Sequence, residues 1–119
     1  MATHNETGKK GEGLAENWLK EKQFNILHRN WRHAHWEIDI IASKGNICHF
    51  FEVKTRRSMK HGFPEESVTR KKLKCLMKAG EVYLLRNPQW KRVQYNILSI
   101  SLAKNGEPVF FLIEDVYLF

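Results

Sequence analysis

The chain has few cysteines and no long apolar run, and both absences exclude classes of protein. Only two cysteines, Cys48 and Cys75, occur among its 119 residues, and their spacing is not that of a metal site. We expect both thiols to be reduced and partly buried. No segment approaches the roughly 18 consecutive apolar residues that a membrane helix needs. The sequence MATHNETGKKGEG at the N-terminus lacks the apolar stretch of a signal peptide, so we expect a cytoplasmic protein.

Length and composition favour one domain with one core. A chain of 119 residues fits one domain comfortably and two only with difficulty. Hydrophobic residues make up 42% of the chain, which is enough for one core. Internal repeats, low-complexity segments and linkers are absent from the sequence. We therefore predict a single domain over residues 1–119.

The excess of positive charge is confined to one segment. Residues 54–78 contain nine Lys or Arg against two Glu, which accounts for the whole net charge of +7, because the rest of the chain is balanced. A localised basic region indicates an anionic partner, either nucleic acid or a membrane surface. Membrane binding usually requires bulky aromatic residues opposite the lysines of an amphipathic helix. Nucleic acid is therefore the better interpretation, and a solvated basic face is the alternative.

Periodicity predicts seven elements in the order αβββαββ. We predict a helix over 8–23, strands over 24–28, 36–43 and 47–55, a helix over 69–86, and strands over 93–102 and 109–113. Residues 30–35 are predicted as a turn, and Lys44-Gly45-Asn46 as the turn of a hairpin between the second and third strands. Asn87-Pro88 is expected to end the second helix.

Acidic residues on the second and third strands carry the functional signal. Glu37 and Asp39 are two residues apart and therefore share one face of the second strand. Glu52 and Lys54 share a face of the third strand in the same way. If residues 44–46 form a hairpin turn, these side chains become neighbours. We then expect Asp39, Glu52 and, in one arrangement, Glu37 to converge.

Clustered carboxylates on half-buried strands repel one another unless they are paired or bind a metal. A divalent cation with oxygen ligands resolves that repulsion, and Mg²⁺ prefers one or two carboxylates with water and phosphate. Lys54 can hold a water nucleophile or stabilise charge on phosphorus. The alternative is a solvated sheet face on which Glu52 and Lys54 form an ordinary ion pair.

These residues resemble the Asp…(Asp/Glu)-x-Lys signature of the restriction-endonuclease-like, or PD-(D/E)XK, nuclease superfamily. Within that superfamily the chain is similar to the bacterial YraN family, which is placed near Holliday-junction resolvases. The matching segments are Gly8-x-x-Gly11-Glu12-x-x-Ala15 with Leu19; Ile26-Leu27 with Asn30 and Arg32; Glu37-Ile38-Asp39-Ile40-Ile41-Ala42; Phe51-Glu52-Val53-Lys54-Thr55-Arg56; Ser67-Val68-Thr69 with Lys72, Ala79 and Tyr83-Leu84; and Ile113-Glu114-Asp115. The resemblance implies an α/β restriction-endonuclease-like core, αβββαβ(β), with a mixed central sheet flanked by helices.

The resemblance also implies roles for individual residues. Asp39 and Glu52 would be ligands of Mg²⁺ or Mn²⁺, with the main-chain carbonyl of Val53 as a third, and Lys54 would be the catalytic lysine. Glu12 resembles an auxiliary catalytic acid on the first helix. Its alternative is an ordinary first-turn glutamate favoured by the helix dipole. Glu37 is either a further ligand or a charge at the strand edge.

The chain departs from the family pattern at two places. In the fourth strand, Gln94-Tyr95-Asn96 stands where the family often has a segment like R-F-D. His35-Trp36 stands where the family usually has a small residue before E-I-D. The family's acid in the fourth strand is therefore replaced here by the amide of Asn96.

The basic segment supplies candidate contacts to phosphate. We expect Lys71, Lys74 and Lys78 to share one face of the second helix, and Lys72 to lie on another flank, towards the acids. The remaining candidates follow the third strand and are Arg56, Arg57 and Lys60.

Three functions are compatible with the sequence. The first is a metal-dependent endonuclease that hydrolyses phosphodiester bonds in DNA, with branched and single-stranded forms as candidate substrates. The second is a nucleic-acid-binding module that retains the nuclease fold without catalysis, and the third is an accessory protein whose basic helix docks an acidic partner. DNA is favoured over RNA, a membrane partner is not expected, and a homodimer is left open.

Overall fold

The computed structural model describes residues 4–57, 69–102 and 106–116, and its elements follow the predicted order. The elements are α1 (His4–Glu21), β1 (Asn25–His33), β2 (Trp36–Lys44), β3 (Ile47–Arg56), α2 (Arg70–Arg86), β4 (Arg92–Ser101) and β5 (Val109–Ile113). The α/β fold is confirmed, and it is compatible with a restriction-endonuclease-like core.

The five strands form one mixed sheet in the order β1-β2-β3-β4-β5. Neighbouring strands are antiparallel except for β3 and β4, which are parallel. A parallel pair needs a long crossover connection, and α2 lies in the segment that joins β3 to β4. The tight turn between β2 and β3 contains Gly45 at φ 61°, a conformation that glycine adopts without steric cost.

Apolar residues divide between two layers, one on each side of the sheet. Ala15 and Leu19 of α1 pack with Phe51 of β3 in one core cluster. Leu76 of α2 packs with Phe50 of β3 in the other. Because neighbouring residues of a strand point to opposite faces, the pair Phe50-Phe51 supplies a large fully buried side chain to each layer.

Both helices approach the sheet closely at a glycine. A Cβ on Gly11 would overlap the side chain of Thr55, so α1 can lie against β3 only without a side chain there. A Cβ on Gly80 would lie 2.6 Å from the Tyr95 hydroxyl, which is too close for the present packing. Gly8, by contrast, faces open space. Gly11 therefore fixes the distance between α1 and the end of β3.

The prediction of a turn over residues 30–35 was wrong for residues 30–33. β1 continues to His33, and the chain turns only at Ala34 and His35. Trp31 within this stretch packs edge-on against Tyr83 of α2, with ring centroids 5.5 Å apart. Packing against α2 therefore outweighs the turn preference of the local sequence. In the part of the chain that the structure describes, no helix is long and apolar enough to cross a membrane.

Candidate functional site

β2 and β3 separate at Asp39 and Glu52. Counted from the turn that joins the two strands, their last paired residues are Ile40 and Phe51. Beyond that pair, β2 continues beside β1 as far as Trp36, and β3 continues beside β4 as far as Arg56. The sheet therefore forks, and the two predicted acids stand at the base of the fork on adjacent strands.

Asp39 is held by the backbone of the facing strand. Its Oδ2 accepts a hydrogen bond of 2.7 Å from the backbone N–H of Val53. In an extended strand, the N–H and C=O of one residue point towards the same edge. The carbonyl of Val53 therefore faces the fork as well, on the side that β2 has left.

The electrostatic environment of Asp39 opposes its ionisation. Its pKa is raised from 3.8 to about 7, mainly by burial and then by the nearby carboxylate of Glu52. The hydrogen bond from Val53 lowers the pKa, whereas Glu37 and Glu12 add to the rise. Glu52, Glu37 and Glu12 therefore all lie close enough to Asp39 for their charges to raise its pKa.

An open groove of about 400 Å³ lies over the fork. We call this space the fork groove. It is lined by His35, Glu37, Asp39, Glu52, Lys71, Lys72 and Cys75. Strands β2 and β3 supply acids, and the first turns of α2 supply two lysines. The groove therefore presents both signs of charge to a ligand.

Two lysines adjoin the acids from different elements. Lys72 of α2 places Nζ 3.4 Å from Oε1 of Glu52. Burial and then the ammonium group of Lys72 lower the pKa of Lys54 on β3. A hydrogen bond with Lys54 raises the pKa of Lys72, and the charge of Glu52 adds to that rise. Of the two amines, Lys54 therefore gives up its proton more readily.

Glu12 and Glu37 are joined by one amide. Asn30, at φ 52° in β1, donates from its amide nitrogen to Oε1 of Glu12 at 3.1 Å and to Oε1 of Glu37 at 3.3 Å when that nitrogen faces both carboxylates. Glu12 also lies 3.6 Å from Arg29, and Glu37 lies 3.5 Å from Arg32. Glu37 lines the fork groove. Glu12 is not among the groove-lining residues, but its charge contributes to the raised pKa of Asp39.

The predicted basic residues divide into separate groups. Lys71 lines the fork groove with Lys72. Because α2 is a regular helix, Lys71 also shares a face with Lys74 and Lys78. Lys74 and Lys78 are exposed on α2. Arg56 and Arg57 follow directly from the acid-bearing part of β3. The predicted contact Lys60 lies outside the described residues.

A second polar cluster, around Asn96 in the middle of β4, was not predicted. Asn96 is fully buried, and its Oδ1 accepts from the backbone N–H of Asp115 at 3.0 Å. Its amide nitrogen must therefore face Nδ1 of His49, 2.9 Å away, and that ring nitrogen must be the acceptor. Burial and then the charge of Lys44 lower the pKa of His49. Asn96 thus fastens the segment after β5 to the sheet.

The acids fit a magnesium-type ion better than a zinc-type ion. Among residues 4–57, 69–102 and 106–116, no three His, Cys, Asp or Glu side chains are grouped closely enough to share one ion. A structural zinc site needs four such ligands. Mg²⁺ is commonly bound by one or two carboxylates, with water and phosphate completing the shell. Asp39 and Glu52 are the two carboxylates that such an ion would use here, and the carbonyl of Val53 would be a further oxygen ligand.

Comparison with known proteins places the chain in a family. The sequence model of the uncharacterised protein family UPF0102 matches residues 11–100, which include every acid of the fork. A UPF0102 protein of Dictyoglomus thermophilum is 41% identical over 103 residues, covering 86% of this chain and 87% of the relative. Another, of Flavobacterium johnsoniae, is 42% identical over 111 residues, covering 90% and 89%. A third, of Chloroherpeton thalassium, is 38% identical over 125 residues, covering 98% and 97%. The chain therefore belongs to the UPF0102 family.

Proposed function

We propose that the protein is a metal-dependent phosphodiesterase that cuts DNA and holds Mg²⁺ or Mn²⁺ between Asp39 and Glu52. The observation that carries this proposal is the position of Asp39 and Glu52 on adjacent strands just beyond the last β2–β3 pair, where both line one groove. The raised pKa of Asp39, about 7, supports it. Burial and the second carboxylate, the two largest causes, are costs that a divalent cation would offset. When bound, the ion would polarise a phosphate oxygen and an attacking water.

The protein's own groups supply positioning and proton transfer. The backbone N–H of Val53 holds one oxygen of Asp39, and the other oxygen would bind the ion. Lys54, whose pKa is lowered by burial and by Lys72, can accept a proton from an attacking water when neutral. When protonated, it can donate a hydrogen bond to a phosphoryl oxygen on which charge develops. Lys54 is therefore the proposed catalytic lysine.

The basic residues around the fork groove favour an anionic polymer as substrate. Lys71 and Lys72 line the groove, and Lys74 and Lys78 are exposed on the same helix. Such lysines position a nucleic-acid backbone without reading its sequence. The resemblance to restriction-endonuclease-like nucleases and Holliday-junction resolvases supports DNA, and makes branched DNA the first substrate to test.

The test is cleavage of supercoiled plasmid and of a four-way junction with Mg²⁺ or Mn²⁺. We expect Asp39→Asn, Glu52→Gln and Lys54→Met each to reduce cleavage by about a hundredfold or more, as is typical for a group that acts on the reacting atoms. Lys91→Met is the charge-matched control. Lys91 is exposed and precedes Arg92, which pairs with Ile47 at the far end of β3. Equal cleavage by the wild type and the three site variants would contradict the mechanism.

A second candidate function is DNA binding without catalysis. One observation favours it: Glu52 already has a cation, because Lys72 pairs with it at 3.4 Å. This candidate predicts salt-sensitive DNA binding that is the same with EDTA as with Mg²⁺, and no cleavage under either condition. A protein that docks an acidic partner instead would bind neither duplex nor branched DNA at moderate salt.

A further inference from the structure

The ion pair between α2 and β3 involves the carboxylate to which the proposed function assigns a metal ion. Nζ of Lys72 lies 3.4 Å from Oε1 of Glu52. The side chain of Glu52 is only 14% exposed, whereas that of Lys72 is 51% exposed. The acid is therefore fixed in the groove wall, and its cationic partner reaches it from solvent.

The backbone around Lys72 is fixed, so any movement belongs to its side chain. Thr69 caps α2 by accepting a hydrogen bond of 3.1 Å from the backbone N–H of Lys72. The lysine stem has four rotatable carbons and a strongly hydrated ammonium group. The ammonium group of Lys72 can therefore change its partner without breaking the hydrogen bond that caps α2.

An ammonium group and a divalent ion compete for Glu52. Both cations would lie within a few ångströms of the same carboxylate, where two positive charges repel strongly. Lys54 does not relieve that repulsion, because its own amine lies beside Lys72 and the acids. Lys72 is the cation with access to solvent, so it is the one that can leave.

We infer that Lys72 is an exchangeable counter-ion of the fork. It neutralises Glu52 while the groove is empty, and it moves to a DNA phosphate when a divalent ion takes its place. This inference rests on the proposed function, because it assigns the metal ion and the DNA to the same groove. It goes beyond a general phosphate contact by giving one lysine two alternating partners.

Exchange predicts effects of opposite sign on the two ligands. Removing the ammonium group of Lys72 removes the cation that pairs with Glu52, so the metal ion should bind more tightly. The same change removes a phosphate contact, so DNA should bind more weakly, but only when the metal ion is present. Without metal, Lys72 remains on Glu52 and contributes little to DNA affinity.

Lys72→Met and the control Lys74→Met separate this inference from a general effect of charge. Both variants lose one positive charge on α2. Residues two apart do not share a helix face, and Lys74 does not line the groove. Affinity for Mn²⁺ alone is measured by calorimetry. Affinity for a cleavage-resistant phosphorothioate duplex is measured by fluorescence anisotropy, with Mn²⁺ and with EDTA.

Lys72→Met should bind Mn²⁺ about tenfold more tightly than the wild type, as expected for loss of a nearby unit charge, while Lys74→Met should stay within about twofold. With Mn²⁺, Lys72→Met should bind the duplex about fivefold more weakly than the wild type, and with EDTA about equally. Lys72→Gln repeats the test should the methionine variant be poorly folded by circular dichroism.

The outcomes distinguish the inference from the proposed function. Binding of Mn²⁺ by the wild type, without a gain in Lys72→Met over Lys74→Met, would overturn the exchange and leave the metal site standing. A DNA defect of equal size with Mn²⁺ and with EDTA would also overturn it. Absence of Mn²⁺ binding in all three proteins would remove both proposals together. Binding by Lys72→Met alone would support the exchange in its strongest form.

Discussion

Replacing Asp39 by asparagine should stabilise the protein at neutral pH. The amide keeps an oxygen that can accept the 2.7 Å hydrogen bond from Val53, but it carries no charge. The pKa of Asp39 is raised from 3.8 to about 7. An acid with a raised folded-state pKa contributes stability that is fully present below its unfolded value and is lost as the pH rises through its folded value. The wild type therefore loses stability between about pH 4 and about pH 7, where the variant does not.

The size of the stabilisation follows from the change in the pKa of Asp39. A pKa that is about three higher in the folded state corresponds to about 4 kcal/mol at most. The lost attraction between Asp39 and the neighbouring Lys54 offsets part of this gain. We expect a gain in the free energy of unfolding of about 1–3 kcal/mol at about pH 8, and much less at about pH 4.5.

Urea denaturation followed by tryptophan fluorescence, with EDTA present, measures this gain at each pH. Glu107→Gln is the control, because Glu107 is exposed and should change stability by less than about 0.5 kcal/mol. A variant at Asp39 that is no more stable than the wild type at about pH 8 would refute the reasoning, as would a gain of equal size at both pH values.

Three further predictions concern other parts of the molecule. Gly11→Ala should lower the free energy of unfolding by about 1–3 kcal/mol through its clash with the sheet, while Gly8→Ala in the same helix should raise it by about 0.5–1 kcal/mol. Urea denaturation measures both changes, and equal effects of the two variants would contradict the close approach of α1 to the sheet. Asn96→Asp should raise the pKa of His49 by placing a carboxylate against Nδ1, and an unchanged NMR titration of that ring would show that the contact is absent. Lys74→Met should lower the slope of log K against log salt for duplex binding by about 1; an unchanged slope means that this lysine contacts no phosphate.

The fold could be predicted because periodicity and turn residues agree along most of the chain. Apolar residues at helical spacing identify α2, and its predicted start at Thr69 is the residue that caps it. The strand predicted over residues 109–113 coincides with β5. Residues 30–33 were misjudged because Asn30 and the following polar residues resemble a turn locally. The segment pairs with β2 as a strand, and Trp31 within it packs on Tyr83, a residue far away in sequence.

The acids of the site could be located, and Lys72 could be placed on the flank towards them, but the individual contacts of the acids could not be predicted. Alternation along β2 and β3 placed Asp39 and Glu52 on adjacent strands, and the structure brings their charges together. The sequence did not indicate that the sheet forks between them, because strand separation depends on pairing with β1 and β4. It also did not show that Lys72 pairs with Glu52, or that Asn30 joins Glu12 to Glu37. These contacts link elements whose spacing only the folded chain defines.

The most direct test of the central claim is a crystal structure of the protein soaked in Mn²⁺, with anomalous diffraction used to locate the metal. We predict one peak at the fork, with carboxylate oxygens of both Asp39 and Glu52 about 2–2.5 Å away, as is usual for hard divalent cations. Clear electron density for Asp39 and Glu52 without an anomalous peak between them would contradict the claim that these strands meet to hold a metal ion. A peak bound by only one of the two acids would contradict it as well.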